Sequence, residues 1–179
     1  VNAVVRRTVQ IVASAEEHRD MEISLDLEED LPYASIDAEQ LRQVLINLVR
    51  NATQAMNGQG TIVISTSMRP SSRAFGREDD TYLEINVRDN GPGIGPKELP
   101  NLFVPFFTTK EQGTGLGLAI SQRIIQTAGG RVEVHSQAGQ GTTFTVVLPV
   151  AKEKMLPPSA AANGTGDKHA PVSRSASTP

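Results

Sequence analysis

Hydrophobic and polar positions recur along this chain with two periods, and the switches between them mark out its elements. Val1, Val4, Val5, Thr8, Val9, Val12 and Ala15 repeat at helical spacing with Arg6, Arg7 and Gln10 between them, which predicts a first amphipathic helix. Ile23, Leu25 and Leu27 alternate with Ser24, Asp26 and Glu28, so a strand is expected there, closed by the turn-prone Asp30-Leu-Pro32. Asp37 stands where a helix N-cap belongs, with Gln40 three residues on as its capping-box partner; this second helix runs to Met56, where Asn57-Gly58 stops it. Strands at 61–68 and 81–88 follow, separated by a Pro/Ser/Arg/Asp-rich segment that reads as a mobile loop. A third helix, Leu116 to Ala128, ends at Gly129-Gly130, and 131–136 with 142–148 form a closing hairpin. The pattern defines one domain over 1–150. Beyond it, 151–179 are rich in Pro, Ala, Ser, Gly and Lys without apolar period, and disorder is expected.

On a helical wheel the second helix divides sharply. Leu41, Val44, Leu45, Leu48, Ala52 and Ala55 fill one face, while Gln43, Asn47, Arg50, Asn51 and Gln54 gather opposite. Solvated helix faces usually carry Glu and Lys. An amide-rich stripe instead offers neutral oxygens, which can ligate a hard cation that keeps several of its waters, as magnesium does. Taken alone, the stripe also reads as an exposed polar face.

Further along, Leu83, Ile85 and Val87 alternate with Glu84, Asn86 and Arg88, so by strand parity Asp89 points with the apolar set. A carboxylate aimed inward needs a partner, and the exocyclic amino group of adenine is a donor of the right kind. Asp89 opens Asp89-Asn-Gly-Pro-Gly-Ile-Gly95, whose glycines at 91, 93 and 95 clear side chains from a tight turn, letting a flat base or sugar approach; by itself Asp-Asn-Gly is equally an ordinary turn. Gly113, Gly115 and Gly117 lead directly into the third helix, so free amide N–H groups and a positive dipole end would face a phosphate chain, with a flexible loop as the alternative. No Gly-Lys dipeptide exists for a P-loop, and a dinucleotide fingerprint would need glycine where Leu118 stands. Between the glycine clusters, Leu102-Phe-Val-Pro-Phe-Phe-Thr-Thr-Lys110 holds three of the five phenylalanines: it could anchor by its rings while the following loop closes as a lid, or the rings could serve core packing alone. Lys110 could reach a terminal phosphate as a point charge, or be simply solvated.

Composition narrows the remaining choices. The 179 residues, 38% hydrophobic and 21% charged, suit one globular domain with some excess chain. Net charge is −3; with Lys152, Lys154, Lys168 and Arg174 against Glu153 and Asp167 after Val150, the remainder carries −5, which argues against a nucleic-acid surface. There is no cysteine, hence no disulfide, thiolate metal site or thiol nucleophile. No apolar run approaches the ~20 residues that span a bilayer, so this segment is expected to make no membrane contact and to reside in the cytoplasm, though a full-length protein could be tethered. The chain opens on Val1 inside a helical pattern, which suggests a piece of something longer.

The four motifs, Asn47-x-x-x-Asn51, Asp89 to Gly95, Gly113-Thr-Gly-Leu-Gly117 and Gly141-Thr-Thr-Phe144, resemble in order the N, G1, G2 and closing G3 elements of sensor histidine kinases, with Phe106-Phe-Thr-Thr-Lys110 as the F box. The resemblance covers about residues 1 to 150. It lies within the gyrase, chaperone, histidine kinase and MutL superfamily and is especially close to the nitrogen-regulation branch. It implies an α/β (α+β) two-layer sandwich of the Bergerat type: a mixed sheet with helices on one face, binding ATP and Mg2+ beneath a mobile lid. Carried over by position, Asn51 would be the magnesium ligand, Asn47 its phosphate-side neighbour and Asp89 the adenine reader. Gly91, Gly93 and Ile94 would lie along the base, and Thr142 or Thr143 near it. Phe106, Thr109 and Lys110 would belong to the lid, and Gly113, Thr114, Gly115, Leu116, Gly117 and Leu118 to the phosphate loop. Many family members carry a basic residue where Gln54 stands and an aromatic at Ala55; Arg50 or Lys110 would then compensate. Where His-Gly-Gly commonly closes the last helix, this chain has Ala128-Gly-Gly130.

Within the superfamily, gyrase-like ATPases, chaperones and anti-sigma serine kinases resemble one another in a glutamate one turn before the magnesium asparagine, a general base for water or a hydroxyl. Asn47 occupies that place here, and its amide cannot take a proton. The expectation is therefore phosphoryl transfer to a histidine, itself nucleophilic, with Asn47 and Lys110 the residues nearest the chemistry. A hydrolytic ATPase and a non-catalytic ATP-gated interaction module are the alternatives. His18, His135 and His169 do not stand in the His-Glu/Asp helical setting the family uses, so an upstream dimerisation domain is expected to carry the acceptor and a response regulator receiver domain to take the phosphoryl group onward. This segment alone is expected to be monomeric and not to phosphorylate itself.

Overall fold

The computed structural model describes residues 1–14, 20–70, 81–110 and 113–151. Ala15, His18, the loop expected across 71–80, and the tail from 152 with His169 lie outside the described residues. The elements run α1 (Asn2–Ala13), β1 (Asp20–Leu27), α2 (Ala38–Ala55), β2 (Gln59–Arg69), β3 (Tyr82–Asp89), α3 (Gly117–Thr127), β4 (Arg131–Gln137) and β5 (Gly141–Pro149), with a 3-10 turn at Leu99–Asn101. Each lies where the hydrophobic pattern predicts it, within a few residues.

Local chemistry explains the boundaries of α2. Asp37 has extended backbone geometry, and its Oδ1 accepts from the N–H groups of Glu39 at 2.9 Å and Gln40 at 3.0 Å, filling two of the orphan donors of the first turn. At the other end Asn57 (φ 53) and Gly58 (φ 76) take the left-handed conformation that ends a helix, and Gly58 N–H returns to Thr53 O at 3.0 Å.

The sheet order is β1-β2-β3-β5-β4. β1 and β2 pair in parallel, and α2 is the crossover such a pair requires; every other pairing is antiparallel, so the sheet is mixed. β5 inserts between β3 and β4, which puts Thr142 directly opposite Asp89 on one side and Ser136 on the other.

One parity of the strands, including Ile62, Ile64, Ile85, Val87, Phe144, Val146 and Leu148, joins a single core with Val5 and Val12 of α1, Leu41, Val44, Leu45, Leu48 and Val49 of α2, and Ile125 of α3. Full burial of each large aliphatic side chain stabilises by about 1.5–3 kcal/mol, so α2, with three fully enclosed leucines, is the central support. Ala55, expected on its apolar face, is exposed; Val49, Thr53 and Met56 are buried instead, so the covered arc extends past the single stripe of the wheel on the side away from Asn47. The buried Thr66 hydroxyl of β2 donates to Asn2 Oδ1 at 2.9 Å and fastens α1 to the sheet.

The opposite face of the sheet is polar. Thr145 Oγ1 donates to Asn86 Oδ1 at 2.6 Å; Arg69 bridges Glu84 at 3.3 Å and Glu133 at 3.0 Å, and Arg131 meets Glu133 at 2.7 Å. Helices on one face and a hydrogen-bonded polar surface on the other make the two-layer sandwich that the resemblance implies. Among the described residues no helix is long and apolar enough to cross a membrane.

Candidate functional site

α2 meets three other segments in succession along its length, and each meeting involves residues singled out from the sequence. Midway along the helix, Asn47 Nδ2 donates to Ser121 Oγ at 3.2 Å and reaches Gly117 O at 3.4 Å, tying α2 to the first turns of α3. One turn on, the Lys110 ammonium donates to Gln54 Oε1 at 2.8 Å and lies 3.4 Å from Asn51 Oδ1. At the C-cap, Met56 packs so closely on Gly91 that a Cβ there would lie 2.9 Å from its Cγ. The amide stripe, the segment before the second glycine cluster and the turn after β3 thus converge on one helix.

Lys110 stands against the position where a basic residue was expected and Gln54 is found. Burial, and then the nearby Arg50 guanidinium, push its ammonium below the ordinary lysine value. Two neutral amide oxygens, those of Asn51 and Gln54, already face one cation. Among the described residues no cluster of three or more His, Asp or Glu could hold a metal, so a metal in this region would be held by amide and phosphate oxygens and by water. That donor set fits magnesium.

Asp89 is 4% exposed and points into the covered face, as its parity requires. Its Oδ1 accepts from Gly91 N–H at 2.9 Å and from Thr142 N–H at 3.1 Å. Among the described residues Oδ2 has no partner, so one acceptor remains for a ligand. Desolvation raises the carboxyl above the ordinary aspartate value, and the two N–H bonds pull it part of the way back.

The turn after Asp89 is locked to the β4–β5 hairpin. Ile94 N–H donates to Ser136 Oγ at 2.8 Å, and Gly93 (φ 70) lies so near the hairpin that a Cβ would stand 2.1 Å from Gln137 O. The close approach that glycine permits here is therefore taken by the protein's own backbone. Gly115 behaves likewise: at φ 65 a Cβ would lie 2.4 Å from the Phe106 carbonyl carbon, and Phe106 N–H donates to Gly115 O at 3.0 Å. α3 begins at Gly117 with no side-chain cap bond, which leaves the dipole end and first-turn N–H groups uncovered by a capping side chain.

Other expected positions are distributed unevenly. Ile94 and Leu118 pack against the core, while Arg50, Gln54, Thr109 and Thr114 are exposed at the rim and Leu116 is half-buried. Phe106 does not anchor its segment. The residue is 75% exposed and its backbone holds φ 67, whereas Phe103 packs against the core and Phe107 is half-buried. Of the two threonines, Thr142 is buried beside Asp89; Thr143 pairs with Arg88 and His135 on the opposite face and stands apart from the site. Ser136 is not among the residues expected at the site, nor is Ser121, which the helical period places in the α3 stripe. Each is a polar residue at an inward position: Ser136 is found by the strand parity that found Asp89, in the Val132, Val134 register, and Ser121 by the helical period of the α3 apolar stripe.

The model of the family described as histidine kinase-, DNA gyrase B-, and HSP90-like ATPase matches residues 36–152. The chain is 37% identical over 150 residues to the sensor histidine kinase ZraS of Escherichia coli, covering 84% of this chain and 30% of that protein. It is 41% identical over 154 residues to the sensory histidine kinase/phosphatase NtrB of Rhizobium leguminosarum, covering 83% and 40%. It thus spans well under half the length of these relatives. Among solved structures it is similar to the nucleotide-free catalytic domain of the histidine kinase ThkA, with TM-score 0.69, 28% identity and coverage of 84% and 92%. Full-length ShkA in complex with AMPPNP matches with TM-score 0.67, 27% identity and coverage of 83% and 30%. By fold, motif order and family match, the chain belongs to the histidine kinase-, DNA gyrase B- and HSP90-like ATPases, on the side of the sensor histidine kinase catalytic domains.

Proposed function

We propose that this chain binds Mg-ATP between α2, the Asp89 turn and the α3 N-terminus, and is the catalytic domain of a cytoplasmic two-component kinase unit. Its γ-phosphoryl group goes to a histidine on a separate dimerisation domain, and from there to a response regulator receiver domain. The meetings along α2 of Asn47 with Gly117, of Asn51 and Gln54 with Lys110, and of Met56 at the helix end with Gly91 carry this reading. Asp89 Oδ2 accepts from the purine amino group, the uncapped start of α3 faces phosphate oxygens, and Lys110 moves from its two amide oxygens to the terminal phosphate. Asn51 Oδ1 is the protein oxygen that would hold Mg2+, and the ion would supply positive charge against that of the phosphates.

Asn47 separates the kinase from the hydrolytic ATPases. Its amide nitrogen is engaged with Gly117 and Ser121, and no proton can be taken up by its oxygen near neutral pH. With no carboxylate one turn before Asn51, water is not activated there, and a histidine supplied from outside is the better nucleophile.

Calorimetry on the full 179-residue chain tests the site. ATP is titrated with magnesium and with chelator; Asn51→Ala is expected to lose the magnesium-dependent gain in affinity and to keep the magnesium-free binding. Wild-type behaviour in that variant rejects the assignment. Sustained hydrolysis by the chain alone would favour an ATPase, and acid-labile phosphate on the chain would show that it carries its own acceptor.

A further inference from the structure

Three polar side chains cross the covered face of the sheet in one row: Asp89 on β3, Thr142 on β5 and Ser136 on β4, each directly opposite the next. Asp89 is 4% and Thr142 5% exposed, in a surface otherwise given to Val87, Phe144, Val134 and their apolar neighbours. A polar row with two buried members and a half-buried third satisfies most of its hydrogen bonds internally, and the way it does so fixes what it can offer a ligand.

Ser136 decides the arrangement. Its Oγ carries one proton and two lone pairs, and three neighbours lie within bonding distance. Ile94 N–H, at 2.8 Å, can only donate; Gly141 O, at 3.0 Å, can only accept; Thr142 Oγ1, at 2.9 Å, can do either. One assignment satisfies all three contacts. Ser136 gives its proton to the Gly141 carbonyl, receives Ile94 N–H on one lone pair and receives the Thr142 hydroxyl proton on the other. The reverse assignment, Ser136 donating to Thr142, would leave two oxygens 3.0 Å apart with no proton between them. Thr142 therefore turns its proton toward Ser136 and keeps only lone pairs for any other partner.

We propose that Ser136 is a positioning residue that fixes the Thr142 hydroxyl as an acceptor and so makes the site select a 6-amino purine over a 6-oxo purine. This deepens the nucleotide reading above and rests on it. Thr142 Oγ1 and Asp89 Oδ2 then stand as neighbouring acceptors, matched to an amino group with hydrogens to give. A 6-oxo purine brings an oxygen to the same place and meets lone pairs from both. Without Ser136 the Thr142 hydroxyl is free to rotate and donate to that oxygen, so part of the discrimination disappears although neither Thr142 nor Asp89 has changed.

The test is calorimetric titration of the full chain with Mg-ATP and Mg-ITP, which share their ribose and triphosphate. Ser136→Ala is expected to lower the ATP-to-ITP affinity ratio by about tenfold, the worth of one hydrogen bond. Ser136→Thr, which keeps the hydroxyl, is expected to hold the wild-type ratio. In a Thr142→Val background the added Ser136→Ala change should leave the ratio unmoved. A Ser136→Ala chain that loses affinity for both nucleotides equally overturns the proposal, since Ser136 would then serve only to tether Ile94. An equal fall in ratio with and without the Thr142 hydroxyl also overturns it. Should Ser136→Ala fail to fold, Thr142→Val alone decides: it is expected to lower the ratio, and an unchanged ratio is contrary. If the wild-type chain binds neither nucleotide, the nucleotide reading itself falls; if it binds ATP and only the ratios disagree, this inference alone falls.

Discussion

Asp89→Asn is expected to make the ligand-free protein more stable and the nucleotide complex weaker. The substitution keeps an Oδ1 that can accept from Gly91 and Thr142 N–H, so the turn geometry is retained. It replaces the unpartnered Oδ2 of a carboxyl that is 4% exposed with an NH2 group. A neutral amide is cheaper to bury than a carboxylate, even with its NH2 unmatched, and the net gain at neutral pH is expected to be about 1 kcal/mol. The same NH2 then faces the purine amino group, donor against donor, and loss of a bond to a charged acceptor at about 2–3 kcal/mol weakens ATP binding roughly 30- to 150-fold. The pH dependence gives a second handle. Because desolvation raises the folded carboxyl above its unfolded value, the native state binds the proton more tightly, and stability is complete below the ordinary aspartate range of about 3.9. It is lost as pH rises through the folded value. The stability advantage of Asp89→Asn should therefore be absent at acid pH and grow as Asp89 ionises in the wild type. Denaturant unfolding across pH measures the first effect and calorimetry with ATP the second. A variant that is less stable than wild type at neutral pH, or that binds ATP with unchanged affinity, would refute the reasoning.

Two other changes probe the frame of the site. Gly93→Ala should destabilise by at least about 2 kcal/mol, since it adds a left-handed residue to a contact with the Gln137 carbonyl that has no room for a Cβ; a denaturation midpoint near wild type would show that the hairpin gives way. Lys110→Met should reduce affinity for ATP about fivefold while leaving ADP nearly unchanged, because the ammonium is assigned to the terminal phosphate; equal losses for both would assign Lys110 to an inner phosphate or to lid packing.

What the sequence determined by itself was local. Asp37 and Asn57-Gly58 bound α2 through contacts only a few residues apart, and the alternation Leu83, Ile85, Val87 carried Asp89 inward because a strand has a period of two whatever surrounds it. Motif order was equally legible, since each short pattern keeps its geometry within one turn or one strand end. Tertiary structure decided the rest. Only the insertion of β5 between β3 and β4 shows that Thr142, and not Thr143, stands beside Asp89 and that Ser136 completes the row. The meeting of Lys110 with Gln54 spans 56 residues of sequence, and no local periodicity encodes a contact at that distance. The phenylalanines divide in the same way: an aromatic cluster signals burial, but that Phe103 packs on the core while Phe106 stands exposed is set by contacts distant in sequence. Local propensity selects elements; the shared core around α2 selects which of their polar edges meet.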